Sequence, residues 1–193
     1  MRKKEYMSFI CIIICMFILF QYNGAVCSNR AGQFPPQLMF PAPDSGQEQE
    51  YLGLRAIGPF QISDIKAKLV VIEFMDALCP PCHANAPIMN DIYDTIQGDS
   101  RIADVKVIAI AVSNEKDEIE AYKKEFKIEF PILLVGDLAI LAAMDGIQTP
   151  TTMIVSTENS KVLVSYTGVI QDSDGFVKQL KAFRERKHYP HDR

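Results

Sequence analysis

The residues of this chain best suited to chemistry are consecutive: Cys79, Pro80, Pro81, Cys82 and His83. Two thiols separated by two residues can form a redox disulfide, become thioethers or bind a metal, and each use places different demands on the surroundings. The sequence has 5 cysteines. Cys11 and Cys15 fall in an apolar N-terminal run and Cys27 at its end, leaving Cys79 and Cys82 as the pair within the rest of the chain. A bridge across so short a loop restricts the unfolded chain little, so this pair serves reaction rather than stapling. The same letters also spell C-x-x-C-H, the attachment pattern of c-type haem, in which His83 would be the axial ligand. Two prolines inside the motif, Pro87 after it and an apolar strand before it weigh against that use. A metal site is also poorly served, because His83 adjoins Cys82 while His188 and His191 lie in a polar tail. The expectation is a dithiol with no cofactor and no metal.

The elements that must position the pair follow from hydrophobic patterning. Residues 69–74 (LVVIEF) form a β-branched, nearly continuous apolar run, the mark of a strand buried on both faces. Its lone carboxylate, Glu73, requires a compensating partner. After Cys82, the positions Ile88, Met89, Ile92, Tyr93 and Ile96 recur at helical spacing, with Gly98 as a stop. The cysteines therefore sit where a strand becomes a helix, with Cys79 at the helix N-terminus, where the macrodipole and unpaired amides favour a thiolate. Cys79 is the expected nucleophile, and Cys82, further into the helix and less exposed, would resolve the mixed disulfide. Further strands are expected at 105–112, 132–135, 151–155 and 162–166, and helices at 115–126 and 137–144. A closing helix would bury Phe176, Val177, Leu180 and Phe183. This alternation indicates an α/β fold with a mixed central β-sheet flanked by helices on both faces. The methionines Met75, Met89, Met144 and Met153 read as core filler, Lys123 and Lys124 as a solvated helix face, and the end from Arg184 as fraying.

Arg2, Lys3 and Lys4 precede 12 apolar residues, Phe9 to Phe20, followed by small and polar ones. That is the pattern of an export signal, shorter than the roughly 20 residues a spanning helix takes. Cleavage before Ser28, lipidation at Cys27 and retention as an anchor are the alternatives. All of them put the folded part outside the cytoplasm, in the periplasm, where thiols can be oxidised. Setting aside residues 1–27 removes three basic groups and Glu5, leaving 17 basic and 23 acidic residues and changing the formal charge from −4 to −6. A mildly acidic surface argues against nucleic acid as a partner. Residues 28–50, rich in Pro, Gly and Gln, read as a flexible linker. The folded domain is expected over 51–186, with a polar tail over 187–193.

The segment LVVIEFMDALCPPCHANAPIMNDIYDTI (69–96), with GPFQISDIKAK before it and Thr149-Pro150-Thr151 later, resembles the thioredoxin superfamily, particularly its exported TlpA-like or redoxin-like branch. The resemblance covers roughly 51–183 and rests on the CPPC pair, Pro87 in the following helix and the Thr-Pro before a strand. It implies a thioredoxin fold and a thiol-disulfide oxidoreductase with Cys79, Cys82, Glu73 and Pro150 as its catalytic set. Pro150 would be cis, a rare state for X–Pro that spacing alone does not predict. Thr149, Pro80, Pro81 and His83 would line the substrate groove, with His83 exposed on the first turn. Glu73, six residues before Cys79, matches a buried acid of thioredoxins, where it would act as base or proton store for Cys82, its pKa raised by burial. The chain departs from many members at Leu78, where they have an aromatic residue, and at Asn85, where TlpA-like reductases have an acid. The implied partners are exported proteins with disulfides or thiols, apocytochromes among them, and a membrane electron donor, with reduction the favoured direction. A peroxiredoxin-type peroxidase is the rival on the same fold. Its peroxidatic cysteine follows a Pro and a Thr or Ser at fixed spacing, and residues 73–78 contain neither.

Overall fold

The computed structural model describes residues 26–28, 32–55, 58–135 and 146–186. Among these, seven strands form one mixed sheet: β1 Val26–Ser28, β2 Gly32–Gln33, β3 Leu69–Met75, β4 Val105–Val112, β5 Ile132–Val135, β6 Thr151–Ser156 and β7 Lys161–Thr167. Four α-helices accompany them: α1 Gly46–Leu52, α2 Pro80–Gly98, α3 Lys116–Phe126 and α4 Ser173–Glu185. The order across the sheet is β1-β7-β6-β3-β4-β5, with β2 also on β7. β3, β4 and β5 run parallel, while β6 is antiparallel to β3 and β7 to β6. All seven side chains of β3 are buried, as its unbroken apolar run requires of a strand covered on both faces.

The period of two along β3 divides the core. Leu69, Val71 and Met75 face a cluster with Met89, Ile92 and Ile96 of α2, Ile119 and Tyr122 of α3, and Phe176 and Leu180 of α4. Two successive parallel crossovers, β3-α2-β4 and β4-α3-β5, move in one direction across the sheet, so right-handedness puts both helices on the same face. Val70, Ile72 and Phe74 face the opposite cluster, closed by Phe34, Leu38, Phe40, Leu52, Phe60, Ile62 and Ile65.

The flexible linker expected over 28–50 is corrected by this second cluster. Phe34 and Phe40 are fully buried, Phe40 pairs with Phe60 through two backbone hydrogen bonds, and Ser45 caps α1 by accepting from the Glu48 N–H. Three large apolar residues among the prolines, needed to cover the far side of the sheet, outweigh the linker-like composition. The domain's described structure thus begins well before residue 51. Lys123 is likewise no solvated residue, since its ammonium lies 2.6 Å from Glu48 and ties α3 to α1. The C-terminal end is held as far as Arg186: Arg184 pairs with Asp104 at 2.9 Å, and Lys68 donates to the carbonyls of Arg184 and Arg186. α2 ends at Gly98, the expected stop, and leaves through Asp99 in extended backbone. The helix expected at 137–144, Met144, residues 1–25 and 187–193 lie outside the described residues.

Candidate active site

β3 ends at Met75, and three residues carry the chain from the sheet to Cys79, the N-cap of α2. Side chains from elsewhere hold this turn. Asn114, just after β4, accepts from the Ala77 N–H (3.1 Å) and donates to Asp76 and Glu118 (both 3.1 Å). Asp76 in turn accepts from the Leu78 N–H at 2.8 Å. The Ala77 carbonyl is taken by the His83 Nε2 at 2.6 Å, which makes that nitrogen the protonated one. His83 is thereby corrected from an exposed first-turn residue to a half-buried brace, its ring 5.8 Å from that of Tyr122 and 5.0 Å from that of Phe126. Nothing in the apolar periodicity marks Asn114 or the brace, because their partners are backbone groups that only the folded loop presents.

Cys79 and Cys82 are both free thiols, the first half-buried and the second fully buried. The Cys79 Sγ lies 3.6 Å from the Thr149 carbonyl, so the Thr149-Pro150 segment sits directly against the motif. Its peptide bond is cis, as the resemblance implies, and the Gly168 N–H donates to the Pro150 carbonyl at 2.8 Å. Gly168, at φ 92°, adopts a backbone conformation that favours glycine. Pro80 and Pro81 open the helix and are exposed, as is Leu78. Neither proline has an N–H, and the amides of Cys82 and His83 bond to the Cys79 carbonyl at 2.9 and 3.2 Å. The first turn thus commits its amides internally.

Burial pushes the Cys82 thiol up to about 12, against a backbone hydrogen bond from Asp76 that lowers it, while neighbouring Cys79 raises it further. Tyr122 of α3 donates to the Cys82 carbonyl at 3.2 Å. Glu73 lies on the α2 side of β3, between Val71 and Met75 and opposite Thr152 of β6 and Ala109 of β4. It is 2% exposed, and burial raises its carboxyl to about 7 despite the 2.7 Å hydrogen bond it accepts from Asn85. Asn85, noticed in the sequence only as a departure, proves to be the partner that Glu73 requires. No cluster of three or more His, Cys, Asp or Glu that could hold a metal occurs among the described residues.

Relatives named thiol-disulfide oxidoreductase ResA include that of Bacillus subtilis, 29% identical over 113 residues, which are 58% of this chain and 60% of the relative. That of Geobacillus thermodenitrificans is 28% identical over 114 residues, covering 59% and 63%. The chain therefore matches somewhat less than two thirds of the length of these relatives. The solved thioredoxin domain of a thiol-disulfide oxidoreductase from Bacteroides vulgatus superposes with a TM-score of 0.61 at 15% identity, covering 79% of this chain and 99% of that one. A thiol:disulfide interchange protein of the thioredoxin family from Chlorobium tepidum does so at 0.52 and 24% identity, covering 75% and 97%. These likenesses identify the sheet and its helices as a thioredoxin fold. A family model described as AhpC/TSA matches residues 41–179, from the buried N-terminal segment through the cysteine pair into α4, and the chain accordingly belongs to the AhpC/TSA family.

Proposed function

We propose that the protein is a thiol-disulfide oxidoreductase that exchanges disulfides with exported proteins through Cys79 and Cys82. The observation that carries this reading is the contrast between the two thiols. Cys79 reaches solvent beside the Thr149-Pro150 segment, while Cys82 is buried and strongly proton-bound, and Tyr122 neighbours both its thiol and the buried Glu73. In the reducing direction, the Cys79 thiolate attacks one sulfur of a substrate disulfide. A Cys79–substrate disulfide forms and the other substrate sulfur leaves as a thiolate. Cys82 then loses its proton to Glu73 and attacks the Cys79 Sγ. The Cys79–Cys82 disulfide forms, and the second substrate thiolate departs and takes up a proton. Two electrons pass from the dithiol to the substrate, and a separate electron donor must restore the dithiol.

The geometry supports a division of labour between the steps. Cys79 itself contributes to holding the Cys82 proton, and that contribution disappears once Cys79 is tied in a mixed disulfide. Glu73, near 7, can then accept the proton at neutral pH and release it afterwards. The half-buried Thr149, with Pro150 buried behind it and the exposed Leu78, Pro80 and Pro81 beside it, forms the surface on which substrate backbone would dock. The commitment of the first-turn amides within α2 favours a reductant, because strong oxidants of this chemistry owe their potential to a stabilised reduced form. Export to the periplasm, with the N-terminal run as signal or anchor, completes the reading.

An equilibrium redox titration of the purified protein against a dithiol buffer tests it. The expected result is a reversible two-electron couple nearer to about −270 mV than to about −120 mV. Thiols that do not titrate, or rapid turnover of peroxide with no exchange on protein disulfides, would overturn the assignment.

A further inference from the structure

Asn85 joins three elements with one amide. It stands on α2 one turn beyond Cys82, its Nδ2 donates to the Glu73 Oε1 on β3 at 2.7 Å, and its Oδ1 accepts from the Ile170 N–H at 3.0 Å. Ile170 lies in the loop between β7 and α4. Asn85, Glu73 and Ile170 are all buried. The Ile170 bond determines which way the amide points: a backbone N–H can be met only by the oxygen, so the NH2 group must face the carboxyl. We infer that Asn85 is a positioning residue for the exchange reaction, holding Glu73 by Oε1 so that proton transfer is confined to Oε2 and the ionised carboxyl keeps a donor. This rests on the proposed dithiol chemistry.

The reason lies in the balance of forces on Glu73. Burial disfavours its charged form and the Asn85 hydrogen bond is the opposing influence. The other titratable groups facing it are Tyr122 of α3 and, through Tyr122, the two cysteines of the junction. Its strand neighbours Ala109 and Thr152 carry no charge. No lysine or arginine substitutes for the amide among these neighbours, so removing Asn85 leaves the carboxylate without its stabilising donor. A carboxyl that ionises too late is a poor base for Cys82.

The test uses the full chain, reduced, with dithiobis-nitrobenzoate as the probe. Attack by Cys79 releases one coloured thiolate, and Cys82 then displaces the second from the mixed disulfide, so the two steps are read separately. In the wild type, the second release should gain speed as pH rises through about 7, and E73Q should lose that rise. N85A should move the rise upward by about one pH unit, which slows the second release about fivefold at pH 7 and leaves the first unchanged. N85D keeps an oxygen for the Ile170 N–H, so it serves where N85A does not fold, and its second carboxyl should move the rise in the same direction. In the E73Q background, N85A should add nothing. A rise that stays in place in both Asn85 variants, or an equal slowing by N85A with and without Glu73, overturns the inference. Should the wild type show no second release, the exchange reading itself fails. Infrared titration of the Glu73 carboxyl in wild type and N85D then still decides whether Asn85 governs its proton.

Discussion

Glu73 should make the protein less stable as the solution becomes less acidic. Its carboxyl titrates near 4.5 in an unfolded chain and near 7 in the folded one. Below about pH 4 it is protonated in both states and has no effect. Between 4.5 and 7 the unfolded chain has already lost the proton while the folded chain still holds it, so each increment of pH favours unfolding. Above 7 both states are ionised and the penalty is constant. At about 1.36 kcal/mol for each pH unit between the two titrations, the loss is roughly 3 kcal/mol, a large share of an ordinary domain's stability. E73Q keeps an oxygen for the Asn85 amide and removes the charge. The assay is urea unfolding of reduced wild type and E73Q from pH 4.5 to 8. That range stays well below the Cys82 titration, and subtracting the two proteins cancels groups that act oppositely, such as Asp99, whose carboxyl is held low by Arg101 and Lys181. E73Q should gain on wild type progressively, by roughly 3 kcal/mol over the range. A difference between the two proteins that does not vary with pH would refute the burial argument for Glu73, and its role as proton store with it.

Other expected outcomes are more direct. C79S should abolish exchange, while C82S should accumulate mixed disulfides with substrates, visible as non-reducing adducts; a fully active C79S protein would remove Cys79 as nucleophile. Y122F removes the donor to the Cys82 carbonyl and should cost about 1 kcal/mol in unfolding free energy with its ring packing intact. K68M removes the ammonium that meets the carbonyls of Arg184 and Arg186. It should speed hydrogen exchange in the last turn of α4 with β3 and β4 unaffected, and unchanged protection there would show the contact to be idle.

Much of the fold could be read from periodicity because its central elements are apolar in the rhythm their neighbours demand. β3 and β4 are continuous runs since both faces are covered, and Ile119 and Tyr122 repeat at helical spacing since one side of α3 meets the core. The N-terminal segment has the composition of a linker because its three anchors, Phe34, Leu38 and Phe40, are spread among prolines and form no periodic element; their burial arises from the opposite side of the sheet. At the site, the cysteine spacing and the odd carboxylate in a strand are local signals, and both are legible. The polar scaffold is not. Asn85, Asn114 and His83 each serve a backbone group or carboxyl distant in sequence or set by a loop, and a polar residue on a helix or after a strand looks the same whether it faces water or such a partner.

The burial of Phe34, Leu38 and Phe40 has a practical consequence for where the polypeptide can be cut. Each large apolar side chain taken from water contributes about 1.5–3 kcal/mol, so the three together rival the net stability of a domain. A protease nick near Pro41 followed by loss of the N-terminal piece would strip the cover from Ile72 and Phe74 and uncover the outer edge of β7 where β1 and β2 now pair. An unpaired strand beside a bared apolar face is a template for aggregation. A recombinant fragment starting at Tyr51, although it contains the cysteine pair whole, should therefore be sticky and short-lived, whereas one starting before Gly32 should remain monodisperse.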